Sequence, residues 1–96
     1  MISSKIFIFG LLTVLVLSQN EFGALNQANG YDISYIARSN GLNIAAIPPN
    51  GGPTLYRFDS LKFDNQQQLD NFAKSFSSQI KDPTKIDFKQ AQTVYY

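Results

Sequence analysis

The sequence predicts an α+β fold, in which a small antiparallel sheet of three to four strands packs against one amphipathic helix behind an N-terminal apolar helix. Three observations predict this fold. A two-residue turn signal, Asn40-Gly41, separates two segments in which apolar and polar residues alternate. After Asp64 the apolar residues recur at every third or fourth position instead of every second. An apolar run, Ile6 to Leu17, follows a short start that contains Lys5.

The N-terminal apolar run is typical of a secretory signal peptide. Twelve helical residues span about 18 Å, which is less than the roughly 30 Å of a bilayer core. The alternative is a retained single-pass membrane anchor, lengthened by the uncharged residues on either side. The sequence therefore divides into a signal peptide or membrane anchor (1–18), a polar linker or helical extension (19–30) and a small α+β domain (31–96). Both interpretations place the domain outside the cytoplasm.

A β-hairpin is predicted around Asn40-Gly41, because this pair favours the positive φ angles of a type I′ turn. Pairing outward from the turn places Ser39 opposite Leu42, Ala37 opposite Ile44 and Tyr35 opposite Ala46. Alternation then gives one apolar face, formed by Tyr31, Ile33, Tyr35, Ala37, Leu42, Ile44 and Ala46.

A surface loop and a bent third strand follow the hairpin. Residues 48–53 contain three prolines and two glycines, which cannot continue a strand. Residues 54–58 alternate again, but the next apolar pair, Leu61 and Phe63, has the opposite parity. This change of parity predicts a bend near Asp59-Ser60.

The amphipathic helix has the clearest pattern in the domain. Its apolar stripe consists of Leu69, Phe72, Ala73, Phe76 and Ile80. Asp64 is the predicted N-cap, with Gln67 returning a hydrogen bond, and Pro83 lies just beyond the predicted end. The alternation after Pro83 predicts a final strand through Ile86, Phe88, Val94 and Tyr96.

Composition excludes several classes of function. The chain has no histidine and no cysteine, so His-based triads, Cys-His pairs, the usual zinc sites and disulfides are all excluded. Removal of residues 1–18 takes away one of eight basic residues and leaves seven against seven acidic ones. A mature charge near zero does not favour binding to nucleic acid. We predict no cofactor and no metal.

Two weak catalytic arrangements remain, and both have simpler structural interpretations. Asp59 and Asp64 could form a carboxylate pair, but we interpret them as a turn aspartate and a helix cap. Three serines on the helix, Ser75, Ser77 and Ser78, lie near Lys74 and Lys81 and could suggest a Ser-Lys dyad. We expect these serines on the polar side of the helix, where a serine near a lysine is ordinary. We therefore predict a protein without enzymatic activity.

The favoured function is that of a small exported protein that acts through protein–protein contacts or self-assembly along strand edges. The alternatives are a membrane-anchored accessory subunit of a larger complex and a carbohydrate-binding domain. The last would use an aromatic face of Tyr31, Tyr35, Tyr56 and Phe58, which a domain of this size more readily uses as core. The candidate partner contacts are Pro49, Asn50, Gly51, Gly52, Tyr56, Phe58, Tyr95 and Tyr96.

Overall fold

The computed structural model describes residues 21–94. The apolar run Ile6 to Leu17, the two tyrosines Tyr95 and Tyr96, and the predictions that concern them lie outside these residues. The elements are β1 (Phe22–Ala28), β2 (Tyr31–Arg38), β3 (Gly41–Ile47), β4 (Thr54–Phe58), α1 (Gln66–Gln79) and α2 (Phe88–Gln92).

A four-stranded antiparallel sheet in the order β1-β2-β3-β4 forms one layer of the domain. On one face of the sheet, alternate residues are buried beneath α1 and the segment that follows it. The opposite face, which we call the outer face, has no other described element packed on it. The predicted α+β class and the antiparallel sheet are confirmed.

Strand β1 replaces the linker or helical extension expected across 19–30. Residues Phe22–Ala28 pair with β2, and the connecting residues Asn29 and Gly30 have φ angles of 50° and 84°. These positive angles are those of a type I′ turn, the same turn that the sequence analysis assigned only to Asn40-Gly41. The alternation in β1 is weak because the polar Asn26 occupies a position facing the core side.

The pairing of β2 with β3 differs by two residues from the predicted register. Ala37 lies opposite Leu42 and Tyr35 opposite Ile44, because the turn consists of Ser39 and Asn40 and Gly41 already belongs to β3. A shift of two residues leaves every side chain on its predicted face. The apolar face of the hairpin is therefore confirmed although its register was wrong.

Gly41 is required by both its backbone angle and its neighbours. Its φ is 134°, and a Cβ atom there would lie 2.6 Å from the carbonyl oxygen of Phe58 and 2.8 Å from the Cα of Asp59. The chain turns at Asp59-Ser60 immediately after β4, where the sequence predicts a bend. Close approach of two backbones thus fixes this end of the sheet.

Replacing Gly41 by alanine is expected to lower the free energy of unfolding by about 1–3 kcal/mol, since the new Cβ meets backbone atoms that cannot rotate away. Gly52→Ala is the matched control, because no atom lies within 4 Å of a Cβ at that position. Urea denaturation measures both. Equal midpoints for the two variants would contradict the proposed role of Gly41.

Helix α1 forms where the apolar stripe predicts it, but it begins one residue beyond the expected cap. The side chain of Asn65, not Asp64, accepts a hydrogen bond of 2.9 Å from the Gln68 amide. The Gln68 side chain in turn accepts 2.8 Å from the Asp64 amide, which gives the reciprocal capping expected from Gln67. All five residues of the stripe are buried.

The predicted final strand is wrong, since Phe88–Gln92 form the short helix α2. Asp87 caps this helix by accepting 3.1 Å from the Lys89 amide, and its residues favour helix over strand. Phe88 stacks on Phe58 with ring centroids 5.7 Å apart, which places this segment beside β4. Neither described helix, within residues 21–94, has the length and hydropathy to span a bilayer.

Candidate functional site

Among residues 21–94, no helix or loop packs across the outer face of the sheet. A row of side chains crosses all four strands on this face in the order Leu25, Ser34, Ala45, Leu55. The two leucines are 67% and 73% exposed, the highest values among the large hydrophobic residues described. With the partly exposed Ile36, Ala45 and Ile47 they make this face apolar at several neighbouring positions, which is more informative than a single exposed leucine.

Beside this row lies a hollow of about 420 Å³. Its walls on the outer face are Ser34, Ile36, Asn43, Ala45, Leu55 and Arg57. Its β2 and β3 lining includes two small side chains, Ser34 and Ala45, and Leu55 lines its β4 side. The lining of the hollow is mostly apolar with a few polar groups.

Two arginines on the outer face are each paired with a carboxylate, whereas Asp32 bonds to a neutral side chain and keeps its charge. The Nε atom of Arg57 lies 2.7 Å from an Asp59 carboxylate oxygen, and that of Arg38 lies 3.0 Å from Glu21. Asp32 accepts a hydrogen bond from the Gln27 side chain at 3.0 Å. An apolar face with paired charges does not select a strongly charged partner.

The outer edge of β1 is less available for pairing with another strand than its composition suggests. The Gln66 side chain donates a hydrogen bond of 2.8 Å to the Gly23 carbonyl, and α1 packs closely over β1. A covering helix is a common protection for an edge strand. The β1 edge is therefore less open to strand addition than an uncovered edge strand would be.

The proline loop between β3 and β4 is exposed, as the sequence predicts. Pro49, Asn50, Gly51 and Gly52 all lie at the surface, and Gly51 has a φ of 122°. The loop lies at one end of the outer face because it joins the two strands that border the hollow. It can contribute to the rim of a contact there.

The other described candidates belong mainly to the core side. Phe58 is 4% exposed, and its ring is covered by Phe88. Tyr56 is half-buried, with its hydroxyl donating 3.1 Å to the Pro83 carbonyl. Tyr35 is fully buried. The aromatic residues thus form no open groove among the described residues, and the core interpretation is supported for Tyr35 and Phe58.

A buried polar pair joins the sheet to α1. The hydroxyl groups of Tyr35 and Ser77 are hydrogen-bonded to each other inside the core. Burial raises the pKa of Tyr35 to about 12, although the hydrogen bond with Ser77 acts in the opposite direction. Ser77 is thereby committed to the core and not to a Ser-Lys dyad.

Ser78 and Asp82 also have structural partners. Ser78 donates a hydrogen bond of 2.7 Å to the Ser75 carbonyl. Hydrogen bonds from the hydroxyl and the amide of Thr84 lower the pKa of the Asp82 carboxyl, which caps a turn. Among residues 21–94, no three acidic side chains are grouped so that they could hold a metal ion.

No protein-family model, no curated protein and no solved structure matches this chain.

Sequence reasoning missed the apolar residues of the outer face, which are Leu25, Ile36, Ala45, Ile47 and Leu55. A signal was present in β2 and β3, since Ile36, Ala45 and Ile47 occupy positions where strict alternation requires polar residues. Leu25 could not be assigned to this face from the sequence, because β1 itself was not predicted.

Proposed function

We propose that this protein is a small exported, non-enzymatic protein that acts through protein–protein contacts, and that its contact surface is the outer face of the sheet. The occupant of this face is a second copy of the chain. The observation that carries the proposal is the position of a protruding leucine, Leu55, directly beside a hollow large enough for a leucine side chain.

A two-fold axis between two stacked sheets can place each Leu55 in the hollow of the other copy. Such an isologous contact needs a knob and a hole on the same surface. In this arrangement Leu55 of one copy lies over the small side chain of Ser34 of the other, and the Ala45 side chains meet near the axis. The two Leu55 side chains, one from each copy, then leave water, and this burial is favourable by roughly 25 cal/mol per Å² of apolar area.

The outer face carries little net charge, and its small area limits the strength of a contact between two copies. Identical faces repel each other when they carry unbalanced charge, but Arg57 and Arg38 are each paired with a carboxylate. The sheet is roughly 15 Å wide and about 23 Å long, so each copy offers only about 350 Å² of planar area, well below the roughly 800 Å² per partner of a standard interface. We therefore expect a weak dimer whose population depends on concentration.

Sedimentation equilibrium of the protein recovered from its host tests this proposal. Leu55→Lys should weaken dimerisation at least about tenfold, because a charge would be buried in the partner's hollow. Gln67→Lys is the matched control, since it adds the same charge on the exposed side of α1 and should leave the dimer unchanged.

A second variant separates a shaped contact from general apolar adhesion. Ser34→Leu fills the hollow and also makes the face more apolar. A shaped contact is weakened by this change because the hollow no longer admits Leu55, whereas non-specific adhesion is strengthened. Tighter association of Ser34→Leu, or a wild-type protein that stays monomeric at high concentration, would contradict the proposal.

The membrane-anchored accessory subunit is favoured by one sequence observation, the apolar run Ile6 to Leu17. Intact mass and N-terminal peptide mapping of the protein from its host separate the two functions. A chain that begins at Gln19 supports the secreted form, and a chain that keeps the apolar run supports the anchored subunit.

A further inference from the structure

Three Asn-Gly pairs lie at the three strand connections of this sheet, and their surroundings differ. They are Asn29-Gly30 between β1 and β2, Asn40-Gly41 between β2 and β3, and Asn50-Gly51 between β3 and β4. Glycine after asparagine offers the least steric hindrance to attack by its backbone nitrogen on the asparagine side chain. The sequence alone therefore makes all three pairs candidates for the same chemical modification.

We propose that Asn50 is a site of spontaneous deamidation and isoaspartate formation, and that the fold protects the other two pairs. In the first step the backbone nitrogen of Gly51 attacks the Cγ atom of Asn50. The N–Cγ bond forms, the bond from Cγ to Nδ2 breaks, and the proton of the Gly51 amide passes through solvent to the departing ammonia. The product is a five-membered succinimide ring.

Water then opens the succinimide ring by adding to one of its two carbonyl carbons. Addition at the side-chain carbonyl gives aspartate at position 50, and addition at the backbone carbonyl gives isoaspartate, in which the main chain runs through the β carbon. Solvent supplies the only co-reactant. Either product adds one negative charge to the proline loop.

Asn50 has the freedom that ring closure requires. Asn50 and its neighbours Pro49, Gly51 and Gly52 are all exposed. Within residues 21–94, no hydrogen bond involves the Asn50 side chain or the Gly51 amide. A Cβ at Gly51 would come no closer than 4.0 Å to another residue, which shows how open the loop is around the attacking nitrogen.

Asn29 is protected by its hydrogen bonds. Its Nδ2 atom donates 3.1 Å to the carbonyl oxygen of Ile80 and 2.7 Å to that of Lys81. These bonds hold the side-chain amide beside the C-terminal end of α1, and both must break before Nδ2 can leave as ammonia. A carboxylate in its place would face two carbonyl oxygens, so the product is also disfavoured.

Asn40 is protected through the glycine that follows it. Gly41 is buried and pairs with Arg38 in the ladder, and its backbone packs against the carbonyl oxygen of Phe58. The Gly41 nitrogen can turn toward the Asn40 side chain only if this end of the ladder opens. Reaction is thus limited to the small fraction of molecules that are locally open.

Incubation of the native protein at mildly alkaline pH, followed by peptide mapping, tests the inference. Isoaspartate is detected with a protein isoaspartyl methyltransferase and a labelled methyl donor. We expect Asn50 to react at least about tenfold faster than Asn29 and Asn40. In denaturant the three rates should become similar, because the pairs share the same local sequence chemistry.

Asn50→Ser is the matched control, and it should abolish the fast reaction while leaving the two slow ones unchanged. Native rates at Asn29 or Asn40 equal to that at Asn50 would overturn the inference. It would also be overturned if Asn50 remained much faster than the others in denaturant, because local sequence and not the fold would then set the order. Neither outcome bears on dimerisation.

Discussion

Replacing Phe72 by alanine is expected to lower the free energy of unfolding by about 3–5 kcal/mol, the largest effect of any single substitution considered for this domain. Phe72 is fully buried and lies at the centre of the aromatic core. Its ring centroid is 5.2 Å from that of Phe63, 5.3 Å from that of Phe76 and 6.1 Å from that of Tyr35. Truncation therefore removes contacts with both the sheet and α1.

The size of the domain makes this loss severe. A body of fewer than 80 residues has a total stability of roughly 4–10 kcal/mol, and this chain has no disulfide to restrict its unfolded state. Thermal and urea denaturation should show Phe72→Ala to be largely unfolded or close to it. Leu25→Ala, which shortens an exposed side chain, should change the stability by no more than about 0.5 kcal/mol. Similar losses for both variants would contradict the position of the core.

Alkaline pH is expected to destabilise the protein through Tyr35. The pKa of Tyr35 is about 12 in the folded protein, against 10.0 for an unburied tyrosine. Between these values the unfolded chain loses the proton and the folded protein keeps it, so the free energy of unfolding falls as the pH rises. The contribution of about 2–3 kcal/mol is fully present below pH 10 and lost by about pH 12.

Urea denaturation of the wild type and Tyr35→Phe at a series of pH values measures this contribution. At neutral pH the variant should be less stable by about 1 kcal/mol, because Ser77 loses its hydrogen-bond partner in the core. Above pH 10 the wild type should lose stability more steeply and the difference should shrink or reverse. Other titrating groups act on both proteins alike. Parallel stability curves across this range would show that Tyr35 is not buried as described.

The sequence predicted α1 and the hairpin faces well because both depend on strong local periodicity. The stripe from Leu69 to Ile80 repeats over three turns, and the core side of β2 and β3 alternates without a break. Register was less predictable, since the turn moved by one residue to accommodate Gly41 against the backbone of Phe58. That contact joins segments that are distant in sequence, so the local pattern of apolar residues cannot predict it.

The two errors in element type have opposite causes. In β1 the polar Asn26 interrupts the alternation of apolar and polar residues, so the sequence predicts a linker where a strand forms. After Pro83 the alternation of Ile86 and Phe88 was accidental, and the cap at Asp87 together with helix-favouring residues produced α2 instead. Short elements of this kind take their conformation from tertiary packing more than from pattern.

The candidate site was the least predictable part of the protein. A contact surface on a sheet requires the positions of all four strands, and Leu25 and Leu55 are far apart in sequence although they end the same row. The proline loop was predicted from composition, and it is exposed as expected. Phe58 was proposed as a contact but is covered by Phe88, a residue assigned to a strand that does not form.

Intermolecular NMR contacts between differently labelled copies show whether two copies meet through the outer face. In a mixture of isotope-labelled and unlabelled protein, we expect cross-peaks from the Leu55 methyl groups to Ser34 and Ile36 of the other copy. Those cross-peaks should vanish with Leu55→Lys. Intermolecular contacts confined to α1 or to the β1 edge would rule out this dimer, because the two copies would then meet through a surface other than the outer face.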